Sequence, residues 1–503
     1  MDVWSLLEGT ADRSPGSPAI ADGPRRSTYG ELHGRASSLA RCLASRGLVR
    51  GDRVAVLAWN GGEFIEATFA AAALGAILVP VNARLSGVEI EEILRLAGAR
   101  AVIAAPDLLE LLGPGTPGLL VLGDAYEAEL ERHRGPLAPA RVGEDDVAHL
   151  YFTSGTTGRP KGVALTHRNV CAHARAAVIE LTLSSRDVWA HVAPMFHLAD
   201  AWANLAITEV GGVHACSPRF EAGAALELLA RERVTITNLV PTMLSRMVAH
   251  PAARELDLSS LRLVLSGGAP IAPALVADLI ETFRCEYAQT YGMTETSPYL
   301  TISLLRDSMR SLPAAEQLAI RCKTGRAFHS VELRLVGDDG RDVTRDGRTV
   351  GEILARGATV TPGYWNDPEA TRAAFEDGWL RTGDLAVIDA HGYLSIVDRR
   401  KDVIKTGGET VYTTEVENAL HAHPAVLEAA VVGIPDPDLG ERIVAGVVLR
   451  AGARTNAEEL RRACRSVLAG FKVPRDVRFL EELPRTGSGK ISKRALRGLL
   501  ASS

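Results

Sequence analysis

Apolar residues recur along this chain with two alternating periods. Thr28-Tyr29-Gly30-Glu31 has the S/T-x-x-E form of a capping box, and Leu32, Ala36, Leu39, Ala40 and Leu43 follow at helical spacing, which predicts a helix ending near Gly47. Asp52 to Trp59 is a short β-branched run that predicts a strand. Glu63 to Leu74 returns to a helical pattern and Ile77 to Val81 to a strand. Further strands are predicted at Val147 to Phe152, Val234 to Val240 and Leu261 to Ser266, and a helix at Pro273 to Phe283. Helix and strand alternate without a repeat of fixed period, so the expected class is an α/β layered fold.

The texture changes from Gly351 onward to short strands with many turns, and beyond Thr413 to a compact pattern of helix (415 to 421), strand (427 to 432), strand (443 to 449) and helix (456 to 468). The domain reading is a large N-terminal domain over 1–397, a hinge at 398–401 and a small C-terminal domain over 402–503. Gly113 to Gly118 reads as a surface loop, and Arg306 to Leu318 lacks a clean period and reads as a mobile segment.

Composition narrows the class. A chain of 503 residues, 46% hydrophobic and 23% charged, has enough apolar content for a sizeable core and excludes disorder, collagen and coiled coil. The net charge of -5 argues against a basic nucleic-acid footprint. The six cysteines stand singly, with no C-x-x-C or Cys/His cluster at metal-ligand spacing, and read as reduced structural thiols. The first residues lack the basic and apolar regions of a secretory signal, and the longest apolar run, Ala67 to Val81, contains Pro80 and is too short to span a membrane. A cytoplasmic monomer or homodimer without nucleic-acid partners is the expectation.

The sharpest local signal is Thr153-Ser154-Gly155-Thr156-Thr157-Gly158-Arg159-Pro160-Lys161-Gly162, directly after a predicted strand. Backbone N–H groups, hydroxyls and one lysine in such a loop can wrap phosphate oxygens. It is not a Walker A sequence, and on its own it is equally a polar Gly-rich hairpin.

The order of motifs along the rest of the chain decides between these. YFTSGTTGRPKGV (151 to 163), APMFH (193 to 197), SGGAPI (266 to 271), TYGMTET (290 to 296), GWLRTGD (378 to 384), DRRKDVIKTGGE (398 to 409) and PRTGSGKISKRAL (484 to 496) together resemble the adenylate-forming superfamily of acyl-CoA synthetases, adenylation domains and luciferases. The resemblance covers nearly the whole chain. It implies a two-domain α/β enzyme that uses ATP and Mg2+ to join a carboxylic acid to AMP, releasing pyrophosphate, and then passes the acyl group to a nucleophile, with CoA as the expected co-substrate.

The resemblance also implies residue roles. Lys490 is the adenylation lysine. Lys161 closes the phosphate loop formed with Thr153, Ser154, Gly155, Thr156, Thr157 and Gly158. Glu295 helps hold magnesium, and Thr294 offers a hydroxyl to the α-phosphate. Gly268, Ala269, Tyr291, Gly292 and Met293 border the nucleotide, Tyr291 packing on adenine. Asp384 accepts from the ribose hydroxyls, and Arg399 reaches a phosphate or ribose oxygen. Lys401 takes the hinge position, while Lys405, Gly407 and Gly408 face the adenylate in the second step, after the C-terminal domain has turned. His197, Trp202, Asn238, Pro241, Gly267 and Tyr299 line the acyl pocket, suggesting an apolar or aromatic acid.

Two features depart from the pattern of CoA ligases. In GGETVYTTEVE (407 to 417), Thr410 and Thr413 stand where many relatives have Asn and Pro. Asp200, three residues after His197, brings a carboxylate near the expected acyl site. These keep open an amide-forming ligase, in which Asp200 or His197 takes an amine proton, and delivery to a carrier-protein thiol.

Overall fold

The computed structural model describes residues 1–154, 159–485 and 491–501. Two compact units emerge: Met1–Leu333 with Ala355–Leu380, and Arg334–Leu354 with Arg381–Ser503. Residues 381–397, read above with the N-terminal domain, cluster in the second unit, since their strand pairs with the one ending at Arg399 (Leu385 with Asp398, Ile388 with Leu394).

Local signals in the first unit act as their chemistry dictates. Thr28 caps the helix Tyr29–Ser45, its hydroxyl accepting from the Glu31 N–H while the Glu31 carboxylate accepts from the Thr28 N–H. The helix Gly62–Leu74 is buried on nearly every side, which is why its apolar residues form no narrow stripe. It stops at Gly75, whose φ of 69° suits glycine at a helix end.

Two sheets organise this unit among the described residues. One has nine strands, with Glu286–Gly292, Leu263–Ser266, Ile236–Asn238, Val188–His191, Val213–Cys216 and Pro18–Asp22 side by side and parallel, and antiparallel strands at both edges. The other has seven, with Val147–Ser154 parallel to Ile77–Pro80 and antiparallel to Pro160–Thr166. Parallel strands need both faces covered, and helices such as Tyr29–Ser45, Gly62–Leu74 and Pro273–Phe283 supply the apolar faces. The second unit contains the long antiparallel pair Val426–Asp436 and Gly440–Leu449, the strand Asp476–Phe479 parallel to the latter, and the helices Thr413–His421 and Ala457–Arg465.

The expected mobile segment at 306–318 is corrected. It holds a turn of 3-10 helix at Asp307–Met309 and enters the helix Ala314–Arg321. The Gln317 amide donates to the Arg310 and Leu312 carbonyls at 2.8 and 2.9 Å, and Arg321 pairs with Glu286 at 2.7 Å. Polar side chains hold this segment, so it leaves no apolar period to read. None of the six cysteines is bridged. Among the described residues no helix is long and apolar enough to cross a membrane.

Five histidines are enclosed in this unit, and three of them are held furthest from charging. Burial pushes His149 and His173 down to about 3, and pushes His214 well below its ordinary value with further help from His191. They stay neutral in the fold but bind protons at about pH 6.5 once unfolded, so their contribution is complete above that pH and is lost as pH falls. Each adds a slope of up to about 1.4 kcal/mol per pH unit. The urea midpoint should therefore fall steadily from about pH 7 to about pH 5; a flat midpoint over that range contradicts neutral burial.

Candidate active site

Four neighbouring parallel strands of the nine-stranded sheet, 286–292, 263–266, 236–238 and 188–191, each run at their carboxyl ends into sequence-predicted site residues. These are Tyr291 to Glu295, Gly267 to Ala269, Asn238 with Pro241, and His197. Crevices outside the carboxyl ends of parallel strands are where α/β sheets bind ligands. The fold thus lines up motifs that lie up to a hundred residues apart in the chain.

Close backbone approach explains two of the glycines. A Cβ on Gly267 would lie 2.6 Å from Thr290 Oγ1 and 2.9 Å from the Thr290 carbonyl oxygen, so only glycine lets the 266–269 turn lie against the strand that bears Tyr291. The Ala269 carbonyl accepts from the Gln289 amide at 3.1 Å, and Thr290 donates to the Ser266 carbonyl at 3.1 Å. Gly292 is tighter still, with the Pro298 carbonyl oxygen 1.8 Å from where a Cβ would stand.

Beyond Gly292 the chain makes a short 3-10 turn, Thr294–Thr296. Met293 N–H and the Thr296 hydroxyl both donate to the Pro298 carbonyl, at 3.0 and 2.6 Å, and the Glu295 carbonyl accepts from Thr361 N–H at 2.8 Å. The Glu295 side chain is nearly enclosed, and its Oε1 accepts from the Tyr364 hydroxyl at 2.9 Å. Burial and the Glu295 charge together hold the Tyr364 phenol well above its ordinary value, so it remains a donor. Lys161 Nζ stands 5.1 Å from the centre of the Tyr364 ring, within cation–π range.

Tyr364 is the residue that sequence reasoning missed. It sits on Gly363–Tyr364, a two-residue strand paired with Val163 and Ala164 of the strand Pro160–Thr166. Its only sequence signal is an aromatic pair after Pro362-Gly363. Tyr364→Phe should weaken productive ATP binding about 10- to 100-fold, as expected when a partner that orients a ligand is lost. The KM for ATP checks this, and an unchanged value removes Tyr364 from the site. Thr153 lies one residue before the end of the strand Val147–Ser154, its hydroxyl 3.5 Å from the Lys161 carbonyl. Gly155, Thr156, Thr157, Gly158 and Lys490, with the side chain of Ser154, lie outside the described residues.

Two of the residues expected at the acyl pocket meet at one carbonyl. Ala199 O accepts from Trp202 Nε1 at 3.1 Å and from Asn238 Nδ2 at 2.7 Å, and Tyr299 OH lies 3.1 Å from Trp202 Nε1. Trp202, Tyr299, His173 and Phe328 form an aromatic cluster with ring centres 5.3 to 5.7 Å apart. Asn238 Oδ1 is buried without a hydrogen-bond partner among the described residues. Pro241 starts the helix Pro241–Ala249, and His197 precedes Leu198–Ala201 with its ring against Phe196.

Asp200 is placed differently from the catalytic position expected of it. It is fully buried, Oδ1 accepting from Trp189 Nε1 at 3.2 Å and Oδ2 meeting His191 Nδ1 at 2.6 Å. The chain of contacts continues from His191 to His214 at 2.9 Å and on to Thr208 at 3.0 Å. This carboxylate anchors the short helix into the core.

In the second unit Asp384 and Arg399 are cross-strand neighbours, with Nε 3.3 Å from Oδ1. Gly407 and Gly408 have φ of 58° and 86° and turn the hairpin between Ile404–Thr406 and Glu409–Val411, a two-residue turn that requires such residues. Both unusual threonines are engaged. Thr410 accepts from Lys405 Nζ at 2.6 Å, and the Thr413 hydroxyl and N–H both donate to buried Asp398. A proline at 413 would lack that N–H. Lys401 lies in the turn before Ile404.

Two family models match the chain, AMP-binding enzyme over residues 7–365 and AMP-binding enzyme C-terminal domain over residues 415–490. A feruloyl-CoA synthase of Amycolatopsis sp is 39% identical over 488 residues, 97% of this chain and 96% of that protein. ATP-bound MatB from Rhodopseudomonas palustris is similar with a TM-score of 0.89 at 29% identity, over 100% of this chain and 99% of that one. The amide bond synthetase McbA from Marinactinospora thermotolerans gives 0.87 at 31% identity, over 99% of this chain and 100% of that one.

Proposed function

The chain belongs to the AMP-binding enzyme family, and we propose that it passes its acyl group to CoA, giving a thioester of an aromatic or fatty acid. It is an ATP-dependent ligase that forms an acyl-adenylate from a carboxylic acid. A carboxylate oxygen attacks the α-phosphorus, the bond to the bridging oxygen breaks, and pyrophosphate leaves. Two anions must meet, and unit charges at 4 Å repel by about 1 kcal/mol in water and by about 4 kcal/mol near a protein surface. Lys161, Arg399 and Lys490 are the cations that offset this, and the Thr294 hydroxyl serves the α-phosphate.

Glu295 suits a magnesium ion, since it offers a carboxylate to a hard, oxygen-seeking cation and the Tyr364 hydroxyl fixes one of its oxygens. Bound there, the ion would neutralise phosphate charge. Tyr291, Gly292, Met293, Gly268 and Ala269 border the nucleotide, and Asp384 accepts from the ribose hydroxyls. Trp202, Tyr299, Asn238, Pro241, Gly267 and His197 enclose the acyl group. In the second step the CoA thiol gives its proton to solvent, its sulfur attacks the acyl carbon, the bond from that carbon to the phosphate oxygen breaks and AMP departs, with Lys405, Gly407 and Gly408 beside the entering pantetheine and 398–401 as the hinge between steps.

One observation carries CoA over an amine as acceptor: Asp200, the carboxylate suited to take an amine proton, is fully buried against Trp189 and His191. The likeness to McbA keeps the amine reading worth an assay. AMP and product formation from ATP, Mg2+ and a panel of aromatic and fatty acids, with CoA, simple amines or a carrier protein as acceptor, separates the readings. A CoA-dependent thioester supports the proposal, and an amide formed without CoA overturns it. Lys405→Ala should slow thioester formation more than adenylate formation; an unaffected thioester rate removes Lys405 from the site.

A further inference from the structure

The helices Tyr29–Ser45 and Asp124–Arg132 bring their C-terminal turns together around Cys42, Glu129 and His133, side chains with no part in the chemistry above. Cys42 and Glu129 are 87 positions apart, so no spacing in the sequence announces the group. Cys42 Sγ lies 3.6 Å from Glu129 Oε2, and His133 Nδ1 lies 3.4 Å from the same oxygen. One ligand atom from each residue lies within 4.8 Å of the other two. A tetrahedral zinc ion with bonds of about 2.3 Å to sulfur and about 2.0–2.1 Å to nitrogen and oxygen has S···O and N···O edges of about 3.5 and 3.3 Å. The two measured separations match those edges.

The hydrogen-bond pattern around His133 points the same way. Ser45 Oγ lies 2.8 Å from the Cys42 carbonyl and 3.0 Å from His133 Nε2, placed to accept from Nε2–H in the tautomer that leaves Nδ1 open to a metal. Without a metal, Nδ1–H can donate to the Glu129 carbonyl oxygen at 2.9 Å, so metal binding at Nδ1 moves that proton to Nε2. A sulfur, a ring nitrogen and a carboxylate oxygen thus converge on one point. The other carboxylate oxygen, Oε1, is held by Arg132 at 2.5 Å and Arg46 at 3.5 Å, which fixes Oε2 inward, although their charge sets the affinity below that of an all-anionic shell. The negative ends of two helix dipoles favour positive charge at this point. Cys42 is buried, whereas the Glu129 and His133 side chains are each 19% exposed, leaving room for water as a fourth ligand.

We propose that Cys42, Glu129 and His133 form a zinc site, completed by water, that staples these two helices. Sulfur, imidazole nitrogen and carboxylate oxygen suit a borderline-soft divalent ion and not magnesium. Binding replaces the Cys42 S–H bond by a bond from sulfur to the metal and releases one proton to solvent.

The test titrates chelator-stripped full-length protein, free of ATP, with Co2+ and then with Zn2+. The native chain should develop a thiolate-to-cobalt charge-transfer band saturating at one equivalent, which Zn2+ abolishes by displacement. Cys42→Ser and His133→Ala should lose the band, and Cys322→Ser, at a half-exposed cysteine elsewhere, should keep it. Ser45→Ala should weaken Zn2+ binding about 10- to 100-fold, as for other partners that orient a metal-binding histidine. His133 ends a helix near the surface, so a far-UV spectrum identical to the native one shows that its variant remains folded. The absence of a band from the native protein, or its survival in either ligand variant, overturns the proposal.

Discussion

Lys490→Ala should slow acyl-adenylate formation by about 10²- to 10³-fold, the usual cost of removing one group that stabilises developing charge. The residue follows Gly487-Ser488-Gly489, and its motif PRTGSGKISKRAL is the last of the seven that carry the family resemblance. On the proposed function its charge acts where carboxylate and α-phosphate meet, in the first half-reaction alone. In the second step a thiol attacks an acyl carbon and no carboxylate has to approach a phosphate, so pre-formed acyl-adenylate should react with its acceptor at nearly the native rate. Pyrophosphate release measures the first step, and consumption of synthetic adenylate measures the second. Equal losses in both would falsify the assignment of Lys490 to adenylation.

Gly292→Ala should lower kcat/KM for ATP by about 10²-fold or more, the scale on which a misplacement of about 1 Å acts. The added Cβ would stand 1.8 Å from the Pro298 carbonyl oxygen, 2.8 Å from its carbon and 2.9 Å from the Leu300 nitrogen, all of them backbone atoms that cannot rotate away. That oxygen also accepts from Met293 N–H and the Thr296 hydroxyl. Displacing it loosens the turn that carries Thr294 and Glu295 and shifts Glu295 from Tyr364. Overpacking of this kind also costs stability, about 1–3 kcal/mol. Gly113→Ala is the control, because its Cβ would meet nothing within 4 Å. Native ATP kinetics in Gly292→Ala would show that the turn accommodates a methyl group and would remove the close-approach argument.

Local chemistry was legible in the chain. The capping box at Thr28 and Glu31, the helices at 62–74 and 273–283 and the strands at 53–57 and 77–80 follow from patterns that act over a few residues. The ordered motifs resembled those of adenylate-forming enzymes, and the family matches bear that out. Where polar side chains do the holding, as Gln317 does around 306–318, the pattern of apolar positions was silent.

Sequence by itself therefore determined the α/β class, the family and the kind of reaction, because periodicity and short motifs are properties of neighbouring residues. Tertiary structure decided which of these residues meet. Strand order brings the carboxyl ends at 191, 238, 266 and 292 side by side. It also buries Asp200 against His191 and Trp189, sets Tyr364 on Glu295, gives Thr410 to Lys405, and gathers Cys42, Glu129 and His133. Tyr364 and Glu295 are 69 positions apart and Cys42 and Glu129 are 87, the other contacts depend on how the intervening chain turns, and a carboxylate in a sequence carries no mark of whether water or an indole will surround it.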